Sequence, residues 1–90
     1  MNPRFANAYY YRGLAYLRKR EYDQTISDYT KAIGINPRFA VAYAERAFAY
    51  CHFRREYDKA WEDVHKAQSL GYQVHPEFLK ALREASGRER

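Results

Sequence analysis

The chain has 90 residues, of which 47% are apolar and 30% charged, with only 4 Gly and 3 Pro. This composition excludes an intrinsically disordered segment, and the length is that of one small domain or less. The single cysteine excludes an intramolecular disulfide, and the sequence shows neither a run of about 20 apolar residues for a membrane span nor an apolar signal segment. We therefore expect a cytoplasmic protein.

The first predicted element is a helix from about residue 4 to 19. Pro3 falls in its first turn, where proline is tolerated, and Asn2 is the predicted N-cap. A second helix is predicted from about residue 23 to 35, because Asp23 suits a helix N-terminus. The connection between them is only a few residues long, so the two helices should pack antiparallel as a hairpin.

The two-helix unit then occurs a second time. Residues 36–40 repeat the sequence Asn-Pro-Arg-Phe-Ala of residues 2–6, and the similarity continues along the unit. One residue is inserted near Arg55, which we assign to the turn between helices. Half of the aligned positions are identical. The second unit therefore predicts helices at about 38–53 and 58–70.

The tail predicts a fifth helix at about 76–86. Phe78, Leu82 and Ala85 lie on one stripe of this helix, and charged residues lie on the other. Because each unit of a repeat array contacts only its neighbours, the last apolar face needs a cover. We interpret the fifth helix as that cap and expect Trp61 to pack against Phe78 and Leu82.

Each unit places small residues and tyrosines at fixed spacings. The small residues allow two helices to cross closely, and the tyrosines fill the space beside them. The positions are Tyr9, Arg12, Gly13, Tyr16, Thr25, Tyr29, Ala32 and Pro37 in the first unit and Tyr43, Arg46, Ala47, Tyr50, Ala60, Val64 and Ala67 in the second. This pattern resembles the tetratricopeptide repeat family. It departs at Thr25, where alanine is usual, and at Tyr72, where the closing proline is expected.

The resemblance implies an all-α fold, a right-handed α-solenoid of antiparallel hairpins with five helices. The first repeat would span residues 2–35, the second 36–70, and a connector with the capping helix 71–90. It also implies a protein–protein interaction module that is not an enzyme and needs no cofactor. Because the chain starts at an inter-repeat Asn-Pro, we interpret it as a fragment of a larger protein with further repeats upstream.

The first helix of each unit is apolar nearly all round, which is more than packing with its own partner requires. In the family that the chain resembles, these helices line the concave surface. We therefore predict a groove there that binds an extended peptide or an amphipathic helix of a partner protein. The candidate partner-binding residues are Asn7, Tyr10, Tyr11, Leu14, Leu17, Arg18, Val41, Ala44, Glu45, Phe48, Cys51 and His52. The alternative is that Leu14 and Phe48 pack between repeats.

One specialised binding mode of the family does not fit these residues. The carboxylate clamp needs lysine and asparagine along the concave face, whereas the corresponding positions here are mostly aromatic and aliphatic. We therefore do not expect a ligand with a C-terminal carboxylate.

Two other classes of function remain open. One is a structural, self-associating segment, in which weak contacts form through an uncapped amino-terminal face that includes Phe5, Tyr9 and Tyr16. The other, which we favour less, is nucleic-acid binding, suggested by the net charge of +5 and the many tyrosines. The basic residues are scattered among acidic ones, which argues against that reading.

Metal and catalytic sites are not expected. Cys51 and His52 are neighbours whose side chains diverge by about 100° on a helix, and the three histidines lack the ligand spacing of a zinc site. The sequence also lacks a glycine-rich phosphate loop and paired carboxylates on an apolar floor.

Overall fold

The computed structural model describes residues 3–89, with side chains from Phe5 onward; the predicted N-cap Asn2 lies outside them. The helices are α1 (Pro3–Arg18), α2 (Tyr22–Ile35), α3 (Ala40–Ala49), α4 (Tyr57–Ser69) and α5 (Pro76–Ser86), and a π-helical turn (Tyr50–Arg54) continues α3. No strand occurs in this part of the chain. The prediction of an all-α fold with five helices is confirmed.

The two hairpins, α1–α2 and α3–α4, close with the same hydrogen bond. In the first, the backbone N–H of Glu21 donates to the carbonyl oxygen of Tyr16 over 2.9 Å, and in the second that of Glu56 donates to Tyr50 over 3.0 Å. These residues occupy equivalent positions in the two units, but one more residue separates the second pair. The turns are therefore alike, and the extra residue must lie between Tyr50 and Glu56.

The extra residue is absorbed by the π-helical turn. The N–H of Arg55 donates to the carbonyl oxygen of Tyr50, five residues back, instead of four as in an α-helix. Arg55 then takes the left-handed conformation with φ 54°, as the equivalent Arg20 does with φ 62°. Our assignment of the insertion to the turn is therefore wrong, because widening the last helical turn takes up one residue without changing the turn itself.

The third helix begins at Ala40, two residues later than predicted. The side chain of Asn36 accepts a hydrogen bond from the N–H of Arg38 over 3.1 Å, and the N–H of Phe39 donates to the Asn36 carbonyl oxygen over 3.0 Å. An asparagine side chain that accepts a hydrogen bond from the backbone N–H two residues ahead stabilises a turn instead of a helix. This turn delays the start of α3.

A hydrophobic core lies between the second hairpin and α5. Trp61 is only 3% exposed, and its indole N–H donates to Ser86 Oγ over 3.0 Å. Leu82 is completely buried in the same cluster. The buried members of the cluster are Tyr43, Ala47, Cys51, Ala60, Trp61, Val64, Ala67, Val74 and Leu82. The fifth helix thus covers the apolar side of α4.

The cap differs from the prediction at two positions. The ring of Phe78, expected beside Trp61, instead lies 5.6 Å from that of Phe48 and 5.9 Å from that of His52. Ala85, expected on the buried stripe, is exposed. Phe78, in the first turn of α5, lies beside Phe48 near the end of α3, whereas Leu82 and Ser86, one and two turns further along the same side, lie with Trp61 of α4.

Each hairpin is also joined by a two-pronged ion pair. The guanidinium of Arg12 donates to both carboxylate oxygens of Asp28 over 2.7 and 2.8 Å, and that of Arg46 donates to both of Asp63 over 2.8 Å. Bidentate pairs of this kind fix the relative position of two helices. None of the helices within residues 3–89 is long and apolar enough to cross a membrane.

Candidate functional site

Most of the exposed aromatic surface lies on one side of α1 and α3. Four large hydrophobic residues are exposed in the described chain, and three of them lie on this side: Tyr11 (65%), Phe48 (38%) and Tyr72 (37%). Tyr72 comes from the connector between α4 and α5. We call the surface formed by Tyr10, Tyr11, Glu45, Phe48 and Tyr72 the aromatic face.

Tyr10 anchors the part of this face that belongs to the first hairpin. Its ring centroid lies 5.4 Å from that of Tyr11, 5.6 Å from that of Tyr29 and 5.1 Å from that of Phe39. Burial raises the pKa of Tyr10 to about 12, and the nearby Glu45 and Tyr72 add to the rise. Tyr10 is therefore held by rings from both hairpins beside the acidic group of α3.

Phe48 anchors the part that belongs to the second hairpin. Its ring lies 4.4 Å from that of His52 on its own helix and 5.6 Å from that of Phe78 on α5. A cleft beside it is lined by Ala44, Glu45, Phe48, Tyr72, Val74, His75 and Phe78. The connector and α5 thus form one wall of the surface, while more than a third of Phe48 stays accessible to solvent.

Glu45 is the acidic group of the aromatic face. Its side chain is half-buried, and it forms no hydrogen bond or ion pair with the described residues. Burial raises the pKa of Glu45, and no basic side chain among the described residues pairs with it to offset this effect. Removing a carboxylate from water without pairing it costs free energy.

A second polar group next to Glu45 also lacks a partner. The hydroxyl of Tyr29 is buried and has no hydrogen-bond partner among the described residues. Burial raises the pKa of Tyr29, and Glu45 and Tyr10 contribute to the rise. A buried hydroxyl and a half-buried carboxylate, neither paired within the described residues, therefore lie near each other beside the aromatic face.

The predicted partner-binding residues differ in their accessibility. Those that are exposed are Asn7, Tyr11, Arg18, Phe48 and His52, and those that are half-buried are Tyr10, Leu14, Leu17, Val41, Ala44 and Glu45. Cys51 is only 4% exposed because it packs in the core of the second hairpin, and burial raises the pKa of its thiol. Its assignment to a binding surface is therefore wrong.

The sequence reasoning missed the residues that the connector and α5 contribute to the cleft, namely Tyr72, Val74, His75 and Phe78. The available signal was Tyr72, an aromatic residue in the place of the closing proline.

No three His, Cys, Asp or Glu residues within residues 3–89 are grouped so that they could hold a metal ion.

A second surface of interest is the amino-terminal flank, a cleft lined by Phe5, Ala8, Tyr9, Arg12 and Ile35. Phe5 is 55% exposed there. At the equivalent positions of the second hairpin, Ala42 is fully buried and Tyr43 is 8% exposed. There Arg46 also donates to Thr30 Oγ1 of α2 over 3.1 Å. In the second hairpin, α2 thus covers the surface that is open in the first.

Comparison with known proteins identifies one family. The family model described as tetratricopeptide repeat matches residues 6–39, which include most of α1, all of α2 and the turn that follows. Comparison with curated proteins and with solved structures gives no match.

Proposed function

We propose that the chain binds a segment of a partner protein on the aromatic face. Through residues 6–39 it belongs to the tetratricopeptide repeat family, whose members generally serve as non-enzymatic protein-interaction scaffolds. The bound segment is an extended peptide or an amphipathic helix, the two forms that suit a narrow apolar surface between parallel helices.

One observation carries this proposal: three of the four exposed large hydrophobic residues of the described chain lie together on this face. Tyrosine and other aromatic residues contribute most to protein interfaces when they lie near the centre of the contact. Polar residues surround them, with Asn7 and Arg18 on α1 and His52 on the π-helical turn. An apolar centre with a polar rim is the usual composition of a binding surface.

The ion pairs favour a protein partner over a nucleic acid. Arg12, Arg46 and Arg54 pair with Asp28, Asp63 and Asp23, respectively. Phosphate binding needs basic side chains that are free to neutralise a row of negative charges. These arginines are engaged with carboxylates, and the five residues that define the aromatic face include no basic side chain.

The experiment is a selection of a random 12-residue peptide library displayed on phage, followed by affinity measurements with the synthetic peptides. Tyr11→Ala and Phe48→Ala should each weaken binding by about 1–3 kcal/mol, since both remove exposed aromatic area from the contact. Phe5→Ala is the matched control, because it removes a ring outside the face whose exposure lies between those of Tyr11 and Phe48.

Two results would contradict the proposal. One is a loss of binding with Phe5→Ala as large as with Tyr11→Ala. The other is that Phe48→Ala unfolds the chain as readily as truncation of the fully buried Tyr29, which would make Phe48 a core residue.

A second function, weak self-association, is favoured by the open amino-terminal flank. The exposed Phe5 and the adjoining cleft are complementary to a helix, because α2 packs on the equivalent surface of the second hairpin. We propose that residues 4–20 form this contact. Sedimentation velocity should show a concentration-dependent shift that Phe5→Ala removes; a monomer at millimolar concentration would exclude it.

A further inference from the structure

We propose that the aromatic face recognises a lysine or arginine side chain of the partner segment, which inserts beside Glu45 between Tyr10 and Tyr72. This inference rests on the proposed function and adds the chemistry of the bound residue. It assigns Glu45 as the residue that determines specificity.

The first argument is that Glu45 differs from the other acidic residues of the described chain. The buried Asp28 and Asp63 are both neutralised by arginine, whereas unpaired acids such as Glu62 and Glu84 are exposed and hydrated. Glu45 is partly removed from water, forms no ion pair with the described residues and has a pKa that burial raises. A charge in this position reduces the stability of the free chain and becomes favourable only when a partner supplies the opposite charge.

The second argument is that the fold already holds two guanidinium groups in such surroundings. In the first hairpin, the guanidinium carbon of Arg12 lies 5.5 and 5.7 Å from the ring centroids of Tyr9 and Tyr16, while the group pairs with Asp28. Aromatic ring faces attract cations at this distance, and the carboxylate supplies the charge-assisted hydrogen bonds.

The second hairpin repeats this arrangement. The guanidinium carbon of Arg46 lies 5.8 and 5.6 Å from the ring centroids of Tyr43 and Tyr50, and the group pairs with Asp63. Two tyrosines and a carboxylate therefore form a site for a basic side chain twice in this molecule.

The aromatic face contains the same groups without a basic side chain. Tyr10 and Tyr72 supply the rings, and Glu45, close enough to raise the pKa of Tyr10, supplies the carboxylate. Phe48 and Ala44 line the adjoining cleft and offer apolar surface for the aliphatic part of a lysine or arginine. The net charge of +5 would favour an acidic partner at long range, but salt screens that effect beyond about 8–10 Å.

The test compares peptide selection on the wild-type chain, on Glu45→Gln and on Glu84→Gln. The control variant removes the same charge from an exposed position on α5. Peptides selected on the wild type and on Glu84→Gln should share a lysine or arginine flanked by apolar residues. Replacing that residue by norleucine should weaken binding to the wild type by about tenfold or more, as expected for a desolvated charge pair. Glu45→Gln should bind both peptides equally weakly.

Thermal unfolding shows whether the variant is folded. Glu45→Gln should have a melting temperature equal to or above that of the wild type, because it removes an unpaired and partly buried charge. Lost binding together with unchanged or higher stability identifies a binding role for Glu45.

The outcomes separate the two proposals. Selected peptides that are apolar or acidic, or a norleucine peptide that binds as well as its parent, would overturn this inference and leave the aromatic face as the binding site. Equal affinity of Glu45→Gln and the wild type would do the same. A selection that yields no binding peptide at all would overturn both.

Discussion

The two hairpins share half of their residues but bury them differently. The side chain of Arg12 is 54% exposed and that of Arg46 only 16%, although their aspartate partners are buried to almost the same extent, at 3% and 5% exposed. The difference arises because α2 covers one side of α3, whereas no described element covers the same side of α1. In a repeat array, the neighbouring element therefore decides whether a repeated residue belongs to the core or to the surface.

The largest expected effect comes from removing α5, which leaves one side of the second hairpin open, as one side of the first hairpin already is. Deleting residues 75–90 should lower the free energy of unfolding by about 4 kcal/mol or more, since Leu82 is lost and Trp61 is uncovered. Chemical denaturation measures the loss, and the fluorescence of Trp61 should shift to the red. Deleting only residues 88–90 is the control. Among the described contacts it removes only those of the exposed end: the ion pair between Arg88 and Asp58, and the hydrogen bonds from Arg88 N–H to Ser86 and from Arg83 to the carbonyl oxygen of Glu89. A long deletion with unchanged stability and emission would show that α5 is not a cap.

The second-largest expected effect is a difference in the stability lost when each of the two ion pairs is broken. Asp63→Asn should lower the free energy of unfolding by about 3 kcal/mol, because it leaves the largely buried Arg46 without a counter-charge. Asp28→Asn should cost less, because water can reach the half-exposed Arg12. Urea denaturation of both variants measures the difference. Equal losses would mean that the flank does not change the environment of the arginine.

A third experiment replaces two residues at the close helix contact of the first hairpin by their equivalents in the second. A Cβ atom on Gly13 would lie 2.7 Å from Cε1 of Tyr29, which is fully buried and cannot move aside. The equivalent positions in the second hairpin hold Ala47 and Val64. Gly13→Ala should therefore destabilise the chain by about 1–2 kcal/mol, after allowing for the better helix propensity of alanine.

The double variant tests whether the contact explains that loss. In a variant that also carries Tyr29→Val, the substitution at Gly13 should no longer destabilise the chain. Denaturation of the four proteins of this cycle should give a coupling of about 1 kcal/mol or more. A coupling of zero would show that the two side chains do not compete for space.

The smallest effect concerns the contact between the hairpins at their turns. The ring of Phe53 stacks on that of Tyr22 with centroids 3.6 Å apart and planes at 8°. Phe53→Leu keeps most of the apolar area but removes the stacking, so it should cost about 0.5–1 kcal/mol in thermal unfolding. At the matching position of the first hairpin, Lys19→Leu should not lower stability, since Lys19 is exposed. A loss with Lys19→Leu that equals the loss with Phe53→Leu would argue against stacking.

Local residue patterns were sufficient to predict the helices but not every detail of the surface. Gly13, Ala47 and the regularly spaced tyrosines indicate close helix pairs, which predicted the first four helices, and the apolar stripe of the tail predicted the fifth. Which residues Phe78 meets depends on where Leu82 and Ser86 pack against Trp61, a contact between distant parts of the chain.

The same limit applies to the candidate site. Cys51 lies on a helix that is apolar on several sides, so its burial depends on which side meets α4. Tyr72 follows α4 in a connector without regular structure, and no periodic pattern indicates that it returns to the face of α1 and α3. Residue periodicity therefore indicates which helix residues form a surface but not the wall that the connector adds.

The wide turn at Tyr50–Arg54 bears on how such arrays vary in length during evolution. A residue gained inside a loop must be accommodated by rearranging that loop, but a residue gained inside the helix leaves the closing hydrogen bond and the left-handed arginine unchanged. Arg54, the last residue of the wide turn, also pairs with Asp23 of the preceding hairpin, with 3.3 Å between the charged atoms. A single-codon insertion can in this way lengthen one repeat without shifting the helices that follow, and a contact between neighbouring repeats can arise in the same step.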